Sequence, residues 1–247
     1  MPRYRIDIEY DGTGLVGWQR QDNGPSVQQA IEAAGAALSG AASPVYAAGR
    51  TDAGVHAIAM TAHIDLQKAF PTDTVRDGLN AHLRDHRITV LEAAAVDDDF
   101  HARFSCTGRH YRYRLVDRRS PPALEQNRVW HVRHALDHEK MQAAASALLG
   151  LHDFTTYRSA HCQAKSPVKT LTQFDVERVD GEVVCRLHAP SFLHNQVRSL
   201  VGTIAQVGLG RQGVDWPRQM LDACDRTLCG PVAPASGLYF VKADYPA

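Results

Sequence analysis

Tyr4-Arg5-Ile6-Asp7-Ile8-Glu9-Tyr10 sets the reading of the chain, because apolar and charged residues alternate with the period of two expected of a half-buried strand. Asp11-Gly12-Thr13-Gly14 then breaks the pattern with turn chemistry. Ser26 with Gln29 forms a capping box, and Val27, Ala30, Ile31, Ala34 and Leu38 lie on one helical stripe. Strand-like runs come next near Val45–Ala48 and Ile58–Asp65, joined by the glycine-bounded segment Gly49–Gly54. A helix from Pro71-Thr72 to about Leu83 and a strand over Ile88–Val96 complete the order β-α-β-β-α-β.

The same order returns downstream. Tyr111, Tyr113 and Leu115 alternate with Arg112 and Arg114, giving a strand with an aromatic face and an arginine face. Asp137 caps a helix with Met141, Ala144, Ala145 and Leu148 on its stripe, ending at Gly150. Val168–Val179 and Glu182–Ala189 flank Asp180-Gly181, a type I′ hairpin signal. His194–Val207 is predicted helical and Gly237–Ala243 a strand. The expected fold class is α+β, with two ferredoxin-like βαββαβ halves, residues 1–105 and 106–247. Each would have an antiparallel sheet with helices on one face, and a basic cleft between the halves. A pair of unrelated α+β domains is the competing expectation.

Composition bounds the function. With 44% hydrophobic and 22% charged residues, the chain reads as globular. No apolar run reaches the roughly 20 residues of a membrane span. The N-terminus enters strand sequence directly, so no signal peptide is expected and the cytoplasm is the default compartment. The five cysteines are scattered and never in a Cys-x-x-Cys pair, which fits neither a disulfide framework nor a zinc site. His131, His134 and His138 straddle a strand end and a helix cap, so no metal is expected there. Formal net charge is zero, but Arg103, Arg109, Arg112, Arg114, Arg118 and Arg119 cluster against the single acid Asp117, and Arg158, Lys165 and Lys169 form a second basic stretch. A neutral chain can therefore still present a basic face to phosphates.

The chemistry concentrates in Ala48-Gly49-Arg50-Thr51-Asp52-Ala53-Gly54-Val55-His56-Ala57. One carboxylate stands between two glycines, with a permanent cation two residues before it and an imidazole four after. Glycines permit unusual backbone angles and close approach of another chain. A guanidinium can hold a carboxylate ionised, bind phosphate or enter a base stack. On these residues alone a structural loop reads similarly. Asp7, Asp11 and Asp99 are rival carboxylates, of which Asp11 is a turn residue by its Asp-Gly context. Trp18 is read either as a base-stacking or as a packed residue.

Gly-Arg-Thr-Asp-Ala-Gly-Val-His resembles the signature of the tRNA pseudouridine synthase A family, with Asp52 on its catalytic aspartate. Further motifs run in family order along nearly the whole chain. They include Tyr10-Asp11-Gly12-Thr13 with Gly17-Trp18-Gln19, Phe100 to Ser105 through Tyr111-Arg112-Tyr113, Asp153-Phe154-Thr155, Cys162 to Pro167, Phe192 to Arg198, and Ala235 to Tyr239. Departures fall at Gln196, Arg84 and Ala235-Ser236, none on a presumed catalytic position.

The resemblance implies isomerisation of uridine to pseudouridine at positions 38, 39 and 40 of the tRNA anticodon stem-loop. It implies no cofactor and a homodimer. Asp52 would be the nucleophile, Arg198 its ion-pair partner, and Tyr111 the ring that stacks on uracil and helps remove the C5 proton. Arg50 would take the place of the everted base, and Leu238 would help keep water out. Thr51, His56, Arg109, Arg112, Arg114 and Lys165 complete the expected substrate contacts. Two other readings are a non-catalytic RNA-binding protein with paired RRM-like sheets, though no RRM signature appears, and a metal-dependent hydrolase.

Overall fold

The computed structural model describes residues 1–160 and 162–246. In chain order the elements are β1 (Arg3–Tyr10), α1 (Val27–Ser39), β2 (Val45–Ala47), β3 (His56–Asp65), α2 (Thr72–His82), β4 (Ile88–Val96), β5 (Gly108–Asp117) and β6 (Trp130–Val132). They continue with α3 (His138–Ser146), β7 (Gly150–Asp153), β8 (Val168–Leu171), β9 (Gln173–Val179), β10 (Glu182–Ala189), α4 (Gln196–Gly208), α5 (Trp216–Ala223) and β11 (Leu238–Asp244). This is a mixed α+β fold whose strand pairings are mostly antiparallel. No helix among the described residues is long and apolar enough to cross a membrane. The chain divides into two compact units, Met1–Thr107 with the segment from Tyr239 onward, and Gly108–Leu238. The closing strand, expected with the second half, thus groups with the first.

In the first unit β1 lies between β4 and β3. Its alternation is expressed directly: Tyr4, Ile6, Ile8 and Tyr10 are buried, while Arg3, Arg5 and Asp7 sit on the opposite face. The Ser26 hydroxyl caps α1 by accepting from Gln29 N at 3.2 Å, and Gly40 closes it at φ 79°. Gly35 lets α1 approach β3, since a Cβ there would lie 2.7 Å from the Ile64 side chain.

The outer edge of β3 is divided between two partners. β2 runs antiparallel along Ala62–Ile64, and β11 runs parallel along His56–Ala57. This explains why β3 begins two residues earlier than periodicity suggests: Ala57 faces Tyr10, and His56 faces Tyr239. The register between β1 and β3 shifts between Ile8 and Tyr10, and such an irregularity bends a strand and re-aims the residues beyond it. Farther along β3, His63 is buried and accepts from Ala102 N at 3.1 Å through Nδ1. Its ring stacks on Tyr46 at 5.1 Å. Burial, with the His101 and Arg3 charges, pushes its pKa down to about 4.

In the second unit β10 lies between β5 and β9, and β6 runs parallel to β5. Asp180 and Gly181 both have positive φ, 49° and 83°, as a type I′ hairpin requires. The predicted strand over Val168–Val179 is two strands. β8 pairs with β7, β9 pairs with β10, and Thr172 marks the break by donating its N–H to His188 O at 3.0 Å. Asp137 caps α3 as predicted, accepting from Lys140 N at 3.0 Å. The helix predicted from His194 begins at Gln196, because Asn195 is left-handed at φ 63°. A strand ends beside His131 as expected, in β6, whereas β7 and α5 were not anticipated.

Candidate active site

The Asp52 loop joins β2 to β3 and is gripped by the turn after β1. Gly17, at φ 109°, forms an isolated bridge with Asp52, and Trp18 N donates to Thr51 O at 3.0 Å. A Cβ on Gly17 would lie 2.5 Å from Thr51 O, and one on Gly12 would lie 2.1 Å from Val55 O. Only glycine fits at either place. Within the loop Val55 N donates to Asp52 O at 3.1 Å, and Gly54 takes φ 77°.

Side chains then sort by direction. Thr51 is buried and its hydroxyl lies 2.8 Å from the Tyr10 hydroxyl. Asp52 is partly exposed and Arg50 exposed. His56, expected at the substrate, is instead 2% exposed, with its ring stacked on Tyr239 at 4.8 Å. Its Nδ1 lies 3.1 Å from Gly12 N and 3.1 Å from Asp11 Oδ1. These contacts are alternatives, because one ring nitrogen accepts from the amide or donates to the carboxylate, not both. Asp11 forms the expected turn, accepting from Thr13 N at 3.0 Å, and also meets Arg87 at 3.3 Å. Trp18 is 3% exposed and packs beside Tyr10, which decides for the packed role.

In the second unit Tyr111 and Tyr113 share a face of β5. Tyr113 is fully buried and donates to Pro234 O at 2.7 Å, and burial raises its pKa well above the ordinary phenol value. Tyr111 is partly exposed, with Phe192 edge-on at 5.1 Å. Arg198 lies in the first turn of α4. It donates from Nε to Ala233 O at 2.8 Å and from Nη1 to Asn195 Oδ1 at 3.1 Å. Gly202, one turn later on the same helix face, allows this grip, since a Cβ there would lie 1.8 Å from Pro231 O. Leu238 is buried, and the preceding Gly237 leaves no room for a Cβ beside the Tyr113 ring, 2.6 Å away.

A family model described as tRNA pseudouridine synthase matches residues 7–105 and 144–246. The chain belongs to this family. Relatives named tRNA pseudouridine synthase A include one from Maricaulis maris (strain MCS10), 57% identical over 246 residues and covering 100% of this chain and 99% of its own. One from Afipia carboxidovorans is 56% identical over 245 residues, covering 99% and 100%. One from Caulobacter sp. (strain K31) is 55% identical over 245 residues, covering 99% and 98%.

For a tRNA pseudouridine synthase, the arginine strand is unexpectedly committed to protein contacts. Arg114 is held by both oxygens of Glu182 at 2.7 and 2.8 Å and by Glu125 at 2.8 Å. Its charge is therefore neutralised within the chain, against its expected place on phosphate. Arg109 donates to Pro190 O at 2.5 Å. Arg112 stands opposite Arg186 in register. Lys165 is exposed. Sequence reading missed Tyr10, Gly12, Gly17 and Tyr239 as supports of the Asp52 loop. Gly12 and Gly17 carried a turn signal, but nothing local indicates which distant carbonyl each one meets.

Proposed function

We propose that this chain isomerises uridine to pseudouridine in tRNA, at positions 38, 39 and 40 of the anticodon stem-loop, with Asp52 as nucleophile. The observation that carries this reading is the Asp52 loop itself. In a chain of this family, a partly exposed carboxylate is held on backbone pinned at Thr51, Asp52 and Val55. A carboxylate on a fixed frame meets the geometric demand of attack on an everted nucleotide.

The reaction breaks the bond from N1 of uracil to the ribose carbon and forms one from C5 to the same carbon. The C5 hydrogen leaves as a proton and N1 gains one, so no electrons are exchanged and no cofactor is required. Arg198 is assigned the role of keeping Asp52 ionised. Tyr111 stacks on the uracil and receives the C5 proton in the last step. Arg50 fills the space left by the base, and Leu238 excludes water. Arg109, Arg112 and Lys165 hold the tRNA backbone. The same reading takes both halves as ferredoxin-like with a basic cleft, and the enzyme as a cytoplasmic homodimer. The β-α-β-β-α-β order of β1 to β4 supports the first of these.

Transfer RNA carrying tritium at C5 of uridine provides the test. The wild-type protein is expected to release tritium to solvent, and Asp52→Asn to release none while still binding the tRNA. Binding without release by the wild-type protein, on a competent tRNA, would turn the reading into that of an RNA-binding protein.

A further inference from the structure

We infer that His56 is a positioning residue, whose imidazole clasps the turn after β1 to the Asp52 loop and so fixes the carboxylate for its work. The inference rests on the role proposed for Asp52, and its own physical basis is separate. At 2% exposure the ring cannot touch a substrate, so any effect on turnover must pass through other groups.

Three contacts define the clasp. Nδ1 sits 3.1 Å from the Gly12 amide nitrogen and 3.1 Å from Asp11 Oδ1. The ring lies on Tyr239, 24° from parallel, and Tyr239 is also the strand partner of His56. A neutral ring with its proton on Nε2 accepts from Gly12, and a ring protonated on Nδ1 donates to Asp11. Both arrangements tie residue 56 to the same two-residue turn, so the clasp changes partner without opening.

The loop has no slack to absorb a movement at His56. Gly12 is pressed on Val55, Gly17 on Thr51, and Val55 N bonds back to Asp52 O at 3.1 Å. A shift of the turn relative to residue 56 is therefore transmitted to Asp52, four residues away. Displacement of a reacting group by about 1 Å is enough to cost about 100-fold in rate.

Two substitutions separate the clasp from general packing. His56→Phe keeps a ring against Tyr239 but removes the acceptor, leaving the Gly12 amide without its partner. His56→Asn removes the ring but places an amide oxygen near the position of Nδ1. Turnover is read from tritium release, tRNA affinity from equilibrium binding, folding from Tm, and the clasp from hydrogen exchange at the Gly12 amide. For His56→Phe we expect kcat to fall about tenfold or more with tRNA affinity unchanged, and Gly12 exchange to accelerate. His56→Asn should restore Gly12 protection and most of kcat, even where its Tm is lower. The inference is overturned if kcat follows Tm across both variants, or if His56→Phe turns over normally with Gly12 still protected. A wild-type protein that releases no tritium would remove the function proposed above, whereas the exchange measurement still decides whether His56 is a clasp.

Discussion

The Asp52 loop and strand β5 are both short, charged and family-like in sequence, yet the fold treats them in opposite ways. Around Asp52 the neighbours of the key residue are drawn inward: Thr51 to Tyr10, His56 to Gly12 and Tyr239, Val55 against Gly12. The carboxylate is left partly exposed on a fixed frame. Along β5 the charged residues themselves are drawn into contacts, with Arg114 shared by Glu182 and Glu125, and Arg109 bonded to Pro190 O. A cluster of like charges in a sequence is therefore not yet a charged surface. A single acid among glycines can be the more informative signal, because the glycines report backbone approaching backbone.

The largest effect expected from this contrast is at Asp52. Asp52→Asn should lower turnover by about 10³-fold or more with Tm within a degree or two of wild type, since the side chain is not part of the core. A large loss of Tm instead would make Asp52 a structural residue and erase the difference between the two regions.

Next in size is the pH response of the strand that carries the loop. His63 titrates near 4 when folded and about 6.5 when unfolded. Below pH ~6.5 the unfolded chain takes up a proton that the folded one refuses. Stability should thus fall as pH drops from about 6.5 to about 4, by on the order of 3 kcal/mol. His63→Asn retains an acceptor for Ala102 N and should flatten that part of the curve. Parallel Tm curves for the two proteins over this window would contradict the burial of a neutral ring.

The glycine argument is tested at smaller scale. Gly12→Ala forces a methyl group onto Val55 O and should cost about 1–3 kcal/mol together with activity. Gly14→Ala has open space and bears only its φ of 82°, so its cost should be about 1 kcal/mol with activity retained. Equal effects on kcat would mean that close approach is not what holds the loop.

Smallest is the charge test. Lys165→Ala should reduce the steepness of the salt dependence of tRNA binding by about one unit. Arg114→Ala should leave that slope unchanged and lower Tm, because it strands Glu182. A reduced slope for Arg114→Ala would return Arg114 to the phosphate-binding surface.

The features legible in the sequence came from local physics. Ser26 capping α1, the Asp180-Gly181 hairpin and the alternation of β1 all depend on residues within a few positions of one another. Those that were not legible depended on distant pairing. Thr172 interrupts a continuous strand pattern because its amide goes to His188, and β3 begins early because Tyr239 returns to pair with it. The site divides the same way. Asp52 was readable from its motif, whereas the inward turn of His56 and the capture of Arg114 by Glu182 come from contacts across long stretches of chain.

The split edge of β3 bears on how the protein is made. The segment that pairs with His56 and covers its ring is synthesised only after the whole second unit. The nascent first unit must therefore wait with one end of β3 uncovered, and an exposed strand edge invites the wrong partner. Completion of the Asp52 loop therefore waits for β11, so a polypeptide lacking that strand would carry the signature residues without the frame that makes them useful.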